Sequence, residues 1–171
     1  EASLSALKLS SISIIDDDQF VFNNALAALD WDSVFESYMP ALNDRKSTIM
    51  HYAGYYSINP KLLVAIMEAK SGVLSNPTEA SLARPFGDLT DKQSFVDQVR
   101  DVASQLTQRF YAFRRMEVDK SSPDKHLLEN IVPTSAATVA LSGLFTKNHQ
   151  AKLNSTIDPL THLLTTYEDI F

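Results

Sequence analysis

Residues 59 to 72 read NPKLLVAIMEAKSG. Asparagine before proline is a start signal: the Asn59 side chain can accept from the free amides of a first helical turn, and Pro60 suits the first position because it has no N–H to leave unpaired. The residue before a proline also avoids the helical region, so the preceding helix must stop at Ser57-Ile58. From Leu62 to Met67 every side chain is apolar. A helix without a polar face belongs inside a core, so a helix over residues 60 to 70 is expected as the central and most buried element. Charge returns only at Glu68 and Lys70, just before Ser71-Gly72 and a long loop.

Working outward, the pattern stays helical. Ahead of the central helix, NDRKSTIMHYAGYY places Ile49, Tyr52, Ala53 and Tyr56 on one face, with Asn43 or Asp44 as its cap. FVFNNALAAL followed by WDSVFESYMPAL reads as helix from Phe20 until Pro40. Residues 1–19 are serine-rich and close in an acidic run. They read as a flexible arm ahead of one domain over residues 20–171, with SISII compatible with a short surface strand.

Behind the central helix, SGVLSNPTEASLARPFGDL runs to Thr90 with two prolines and two glycines, and a loop of that length in a compact domain usually carries function. Asp91 is expected to open the longest helix, ending near Arg115 and packing across the central one. Its stripe is Phe95, Val99, Val102, Leu106, Phe110 and Phe113. DKHLLENIV reads as a short helical piece. TSAATVALSGLF reads as a small-residue helix capped by Thr134 or Ser135 and able to approach a neighbour closely. DPLTHLLTTYEDIF reads as a last helix with Asp158 as cap and Pro159 first. No useful strand alternation and no repeat occurs, so the class is all-α.

Composition narrows the chemistry. A chain of 171 residues suits one domain. The net charge of −6 and the scattered Lys and Arg leave no basic stripe for a phosphate backbone, so nucleic acid is not an expected partner. Arg109, Arg114, Arg115 and Lys120 read as a solvated helix face. With no cysteine there is no disulfide, thiolate metal site or cysteine nucleophile. No apolar run approaches the roughly 20 residues that span a bilayer, and the first residues lack the basic region of a secretory signal. His51, His126, His149 and His162 stand far apart and form no ligand pair, so neither metal nor cofactor is expected. The four glycines make no phosphate-cradling loop, and NST at Asn154 is a sequon of the kind that occurs by chance.

What remains is the central helix and its loop. Ala65-Ile66, three residues, Lys70-Ser71, then Asn76-Pro77 and the turn from Ala83 to Gly87 stand in the order found in goose-type lysozymes and soluble lytic transglycosylases. The chain therefore resembles the lysozyme-like superfamily. That resemblance implies a lysozyme-like helical bundle whose groove is lined here by Lys70, Ser71, Asn76, Arg84 and Phe86. A narrower group is similar over residues 45 to 171. It is the helical region that precedes the zinc peptidase domain in secreted lysostaphin-type, peptidoglycan-cleaving endopeptidases. YSINPKLLVAIMEAKSG, NPTEASLARPFG, QLTQRFYAFR, TSAATVALSGLF and LLTTYEDIF carry that likeness. It implies a non-catalytic N-terminal domain or prodomain of a secreted or cell-envelope metallopeptidase. The expected partners are the peptidase domain of the same precursor and peptidoglycan glycan.

One departure decides between holding and cutting. In glycan cleavage by the superfamily a glutamic acid protonates the leaving oxygen, and here that position is Lys70. An ammonium is a poor proton donor near neutral pH and cannot be the carboxylate that steadies an oxocarbenium ion. Glu68 lies two residues back, a rotation of about 200°, so it is expected to point away from whatever Lys70 faces. Glu79, in the loop, is the other acid within reach. An active lysozyme or transglycosylase working through Glu68 or Glu79 is thus the competing reading.

Overall fold

A computed structural model describes residues 15–116, 135–146 and 154–171. The central helix forms as expected. α5 (Pro60–Ser71) is capped by the Asn59 side chain, which accepts from the Lys61 amide at 2.9 Å, and it buries every residue from Leu62 to Met67. It stops at Gly72, whose φ of +62° is the left-handed conformation glycine adopts without cost.

Among the described residues four helices precede it: α1 (Asp17–Phe20), α2 (Asn24–Ala27), α3 (Trp31–Tyr38) and α4 (Lys46–Tyr56). Four described helices follow: α6 (Glu79–Ala83), α7 (Phe95–Met116), α8 (Ala136–Thr146) and α9 (Asn154–Ile170). The described residues contain no strand, only one antiparallel bridge between Val21 and Ile58, so the all-α expectation holds.

Several boundaries differ from expectation. The helix read from Phe20 to Pro40 is three short ones. Asn23 and Asp30 accept backbone amides of Leu26 and Ser33, and each takes a non-helical conformation to do so. Short polar side chains that can bond a following amide favour caps over helix interiors. Asn43 and Asp44 are not the cap of α4; they lie in a 3-10 turn, Pro40–Arg45, that runs into it. α7 starts at Phe95, four residues after Asp91. There the Ser94 hydroxyl accepts from the Asp97 amide and donates to the Asp97 carboxylate. α9 begins at Asn154, so Asp158 and Pro159 lie inside it; the pre-proline position is disfavoured in a helix, not forbidden.

The expected 1–19 arm is described only from Ile15, and that part is not loose. Ile15 is buried, its carbonyl accepts from the Ser135 hydroxyl at 2.7 Å, and the Asp17 carboxylate accepts from the Ala137 amide at the start of α8. Of the two caps proposed for α8, Ser135 serves, accepting from the Thr138 amide. Thr134, Lys120, His126, His149, DKHLLENIV and most of SISII lie outside the described residues.

α7, expected to pack across α5, has its main contacts with α8 and α4, while α5 packs chiefly on α9 and then on α4. The reason is the small-residue face of α8, where Ala136, Ala137 and Ala140 are buried and Gly143 lies under Arg109. A Cβ on Gly143 would sit 2.6 Å from Arg109 Nη1, so any larger residue there would push the flexible end of the arginine aside. Phe20 closes the core from α1 by stacking on Phe110 of α7, ring centroids 4.5 Å apart. Asn59, 1% exposed, ties three segments together. Its Nδ2 donates to the Gln19 carbonyl at 2.7 Å and the Tyr167 hydroxyl at 3.1 Å, and its amide donates to Phe20.

Candidate functional site

The C-terminal turn of α5 and the segment 72–89 hold the residues singled out above. Gly72 turns the chain back on itself, and the Glu68 side chain follows that turn. Its carboxylate accepts from the Leu74 amide at 2.6 Å and the Ser75 amide at 3.2 Å. The loop's two free N–H groups thereby gain a charged acceptor, which makes a stronger hydrogen bond than a neutral one. Glu68 is half-buried and works as a clasp on the turn.

Lys70 points to another part of the loop. Its ammonium lies 2.7 Å from the Asp88 carboxylate, with the lysine side chain 26% exposed and the aspartate 62%. Gly87, at φ +55°, passes beside the lysine stem: a Cβ there would lie 3.9 Å from Lys70 Cε. The Ser71 hydroxyl lies 2.8 Å from the Pro85 carbonyl and 3.0 Å from that of Met67 and shares its one proton between them. Glu68 and Lys70 thus hold opposite limbs of one loop, Glu68 the residues 74–75 and Lys70 the residues 87–88.

The remaining candidates divide. Phe86 is fully buried, and its amide donates to the Oε1 of buried Gln98 at 2.9 Å, so its ring is floor and not accessible wall. Gln98 also donates to the Lys92 carbonyl, which fixes both ends of the 86–92 stretch. Asn76, Glu79 and Arg84 are exposed, and no hydrogen bond or ion pair joins their side chains to Lys70. Glu79 occupies the first turn of α6, capped by Thr78, where an acidic side chain favours the helix dipole. The structure therefore brings together Lys70, Ser71 and residues 85–88 and leaves the two acids apart in separate structural tasks. Asp88 and Gln98, which organise this end, carry no fixed-spacing signal in the sequence.

Chemically the arrangement offers a half-exposed cation beside an aspartate, a hydroxyl occupied by backbone carbonyls, and a carboxylate occupied by backbone amides. Such a set can hold an anionic or hydroxylic group. It lacks the pair of carboxylates that glycoside hydrolysis uses. Among the described residues no group of three or more His, Asp or Glu is placed to hold a metal ion, and no helix is long and apolar enough to cross a membrane.

Comparison with known proteins gives two curated relatives of matching extent. Protease LasA from Pseudomonas aeruginosa strain PAO1 is 34% identical over 169 residues, which is 98% of this chain and 40% of the relative. Protease LasA from strain UCBPP-PA14 matches with the same identity and coverage. No solved structure matches. The family model of the LasA N-terminal domain matches residues 13–171. On that match, over nearly its whole length, this chain belongs to the LasA N-terminal domain family.

Proposed function

We propose that this domain is the non-catalytic N-terminal domain, or prodomain, of a secreted or cell-envelope precursor whose other part is a zinc peptidase cleaving peptidoglycan or matrix polymers. It assists folding of the peptidase and covers its cleft. The observation that carries the reading is the use of Glu68: both of its oxygens accept from the turn amides of Leu74 and Ser75, and Lys70, which the resemblance equates with the acid position of lysozyme-type proteins, is paired with Asp88. Membership of the LasA N-terminal domain family supports the placement within a protease precursor. The lysozyme-like ancestry of the bundle, and a groove around Lys70 that holds a glycan strand, belong to the same reading and rest on the order of motifs in the sequence.

The test is to produce the peptidase part with and without this domain, and then to add the domain in trans. The reading expects a soluble, latent precursor, a poorly folding peptidase when the domain is deleted, and stoichiometric inhibition by added domain. A peptidase that folds and works equally well alone, untouched by added domain, would contradict it. So would a loss of turbidity of purified peptidoglycan on adding this chain, abolished by Glu68→Gln or Glu79→Gln.

A further inference from the structure

The start of α5 and the end of α9 enclose, with the segment before α1, an open cavity of about 320 Å³. That volume is at the small end of the range for small-molecule sites. Ile15, Leu164 and the Phe171 ring give it apolar walls, and Gln19, Lys61, Tyr167 and Glu168 give it polar ones. A narrow crevice that shares Ile15, Leu164 and Tyr167 continues the apolar side toward Leu62, Leu141 and Leu163.

The polar groups have capacity that the protein leaves unused. The Tyr167 hydroxyl accepts from Asn59 Nδ2 at 3.1 Å, and among the described residues nothing takes its own proton. Gln19 is fixed through Oε1, which accepts from the Asp16 amide at 3.2 Å, and its side-chain NH2 has no acceptor among the described residues. The Lys61 ammonium sits 5.1 Å over the centre of the Phe171 ring and makes no ion pair with any described carboxylate. One cation and two neutral donors thus line the same cavity, and donors in a partly desolvated place cost stability until an acceptor arrives. Glu168 adds a single carboxylate, also without an ion pair among the described residues.

We propose that this cavity binds a terminal apolar amino-acid residue. The α-carboxylate of the ligand accepts from Lys61, Gln19 and Tyr167, its α-nitrogen donates to Glu168, and its side chain lies against Ile15 and Leu164 toward the crevice. Charge-assisted hydrogen bonds of this kind are the stronger ones. A fatty carboxylate would leave Glu168 repelling it with no compensating donor. A phosphate would carry more negative charge than one lysine beside a glutamate can balance, and a neutral sugar would use neither charge. The volume equals that of roughly ten waters, which suits a leucine-sized molecule. The inference is independent of the prodomain reading, because it uses the start of α5 and not the Glu68 end and asks nothing of a peptidase.

The experiment titrates the whole 171-residue chain with L-leucine, N-acetyl-L-leucine, the dipeptide Ala-Leu and L-leucinamide by calorimetry, with the Tyr167 ring followed by NMR. Saturable binding is expected for ligands with a free carboxylate and not for leucinamide. Tightest binding of leucine identifies a free amino acid as the source, and tightest binding of Ala-Leu identifies a peptide end. Lys61→Met should weaken binding roughly tenfold or more, and Tyr167→Phe about threefold to tenfold. Leu164→Trp, which fills the cavity, should abolish it, with the melting curve showing that the variant folds. Lys92→Met, an exposed lysine away from the cavity, should leave binding unchanged. No binding of any carboxylate ligand by the folded chain would overturn the proposal. Leucinamide bound as tightly as leucine, or binding indifferent to both Lys61→Met and Tyr167→Phe, would also overturn it.

Discussion

The two ends of α5 are held in opposite ways. At its start, Asn59 joins parts of the chain 40 and 108 residues away, reaching Gln19 and Tyr167 from a site that is 1% exposed. At its finish, Glu68, Lys70 and Ser71 bond within a span of 18 residues, to 74–75, 88 and 85, at half-exposed positions. The first end ties the fold together; the second folds a loop upon itself. Polar residues at the finish of α5, where a lysozyme-like enzyme would carry its chemistry, are thus spent on shaping the loop.

The contrast sets a ranking of effects. Asn59→Ala should break it hardest, removing a cap and leaving buried partners unsatisfied, with a loss of roughly 3 kcal/mol in urea denaturation. Glu68→Ala should cost about 2 kcal/mol, since two amides lose a charged acceptor, and the loss should be accompanied by no change in any sugar-cleaving activity. Lys70→Met should cost less than about 1 kcal/mol, because the pair with Asp88 is half in water, and added salt should shrink even that difference. The smallest effect is on the alkaline side. Burial raises the Tyr167 hydroxyl above its ordinary value of 10.0, against the opposing hydrogen bond from Asn59. A group raised in the folded state favours folding fully below the unfolded value and loses that contribution as pH rises through the folded one. Stability of the native chain should therefore fall in strongly alkaline solution, and Tyr167→Phe should flatten that fall.

The fold was legible where the signals are local. Asn59-Pro60 and Ser71-Gly72 bracket α5 because capping and the left-handed turn are properties of one or two residues. The small residues of α8 were legible as a close-approach face, and Gly143 under Arg109 bears that out. The breaks at Asn23 and Asp30 are not legible because an amphipathic run hides two side-chain caps, and the start of α7 is ambiguous because Asp91 and Ser94 can each cap a helix. Which helices touch was not legible: periodicity says that the α7 stripe is buried, not that α8 and α4 bury it. Around the site the rotation argument separated Glu68 from Lys70, and they do engage different limbs of the loop. Their partners, backbone amides on one side and Asp88 on the other, depend on the path of the loop, which spacing does not encode.

Amide hydrogen exchange at Leu74 and Ser75 probes the clasp itself. If Glu68 holds the turn, both amides exchange slowly in the native chain and rapidly in Glu68→Ala while the α5 amides stay protected. Fast exchange at both positions already in the native chain would mean the carboxylate is free, and the account of this end of α5 would fail.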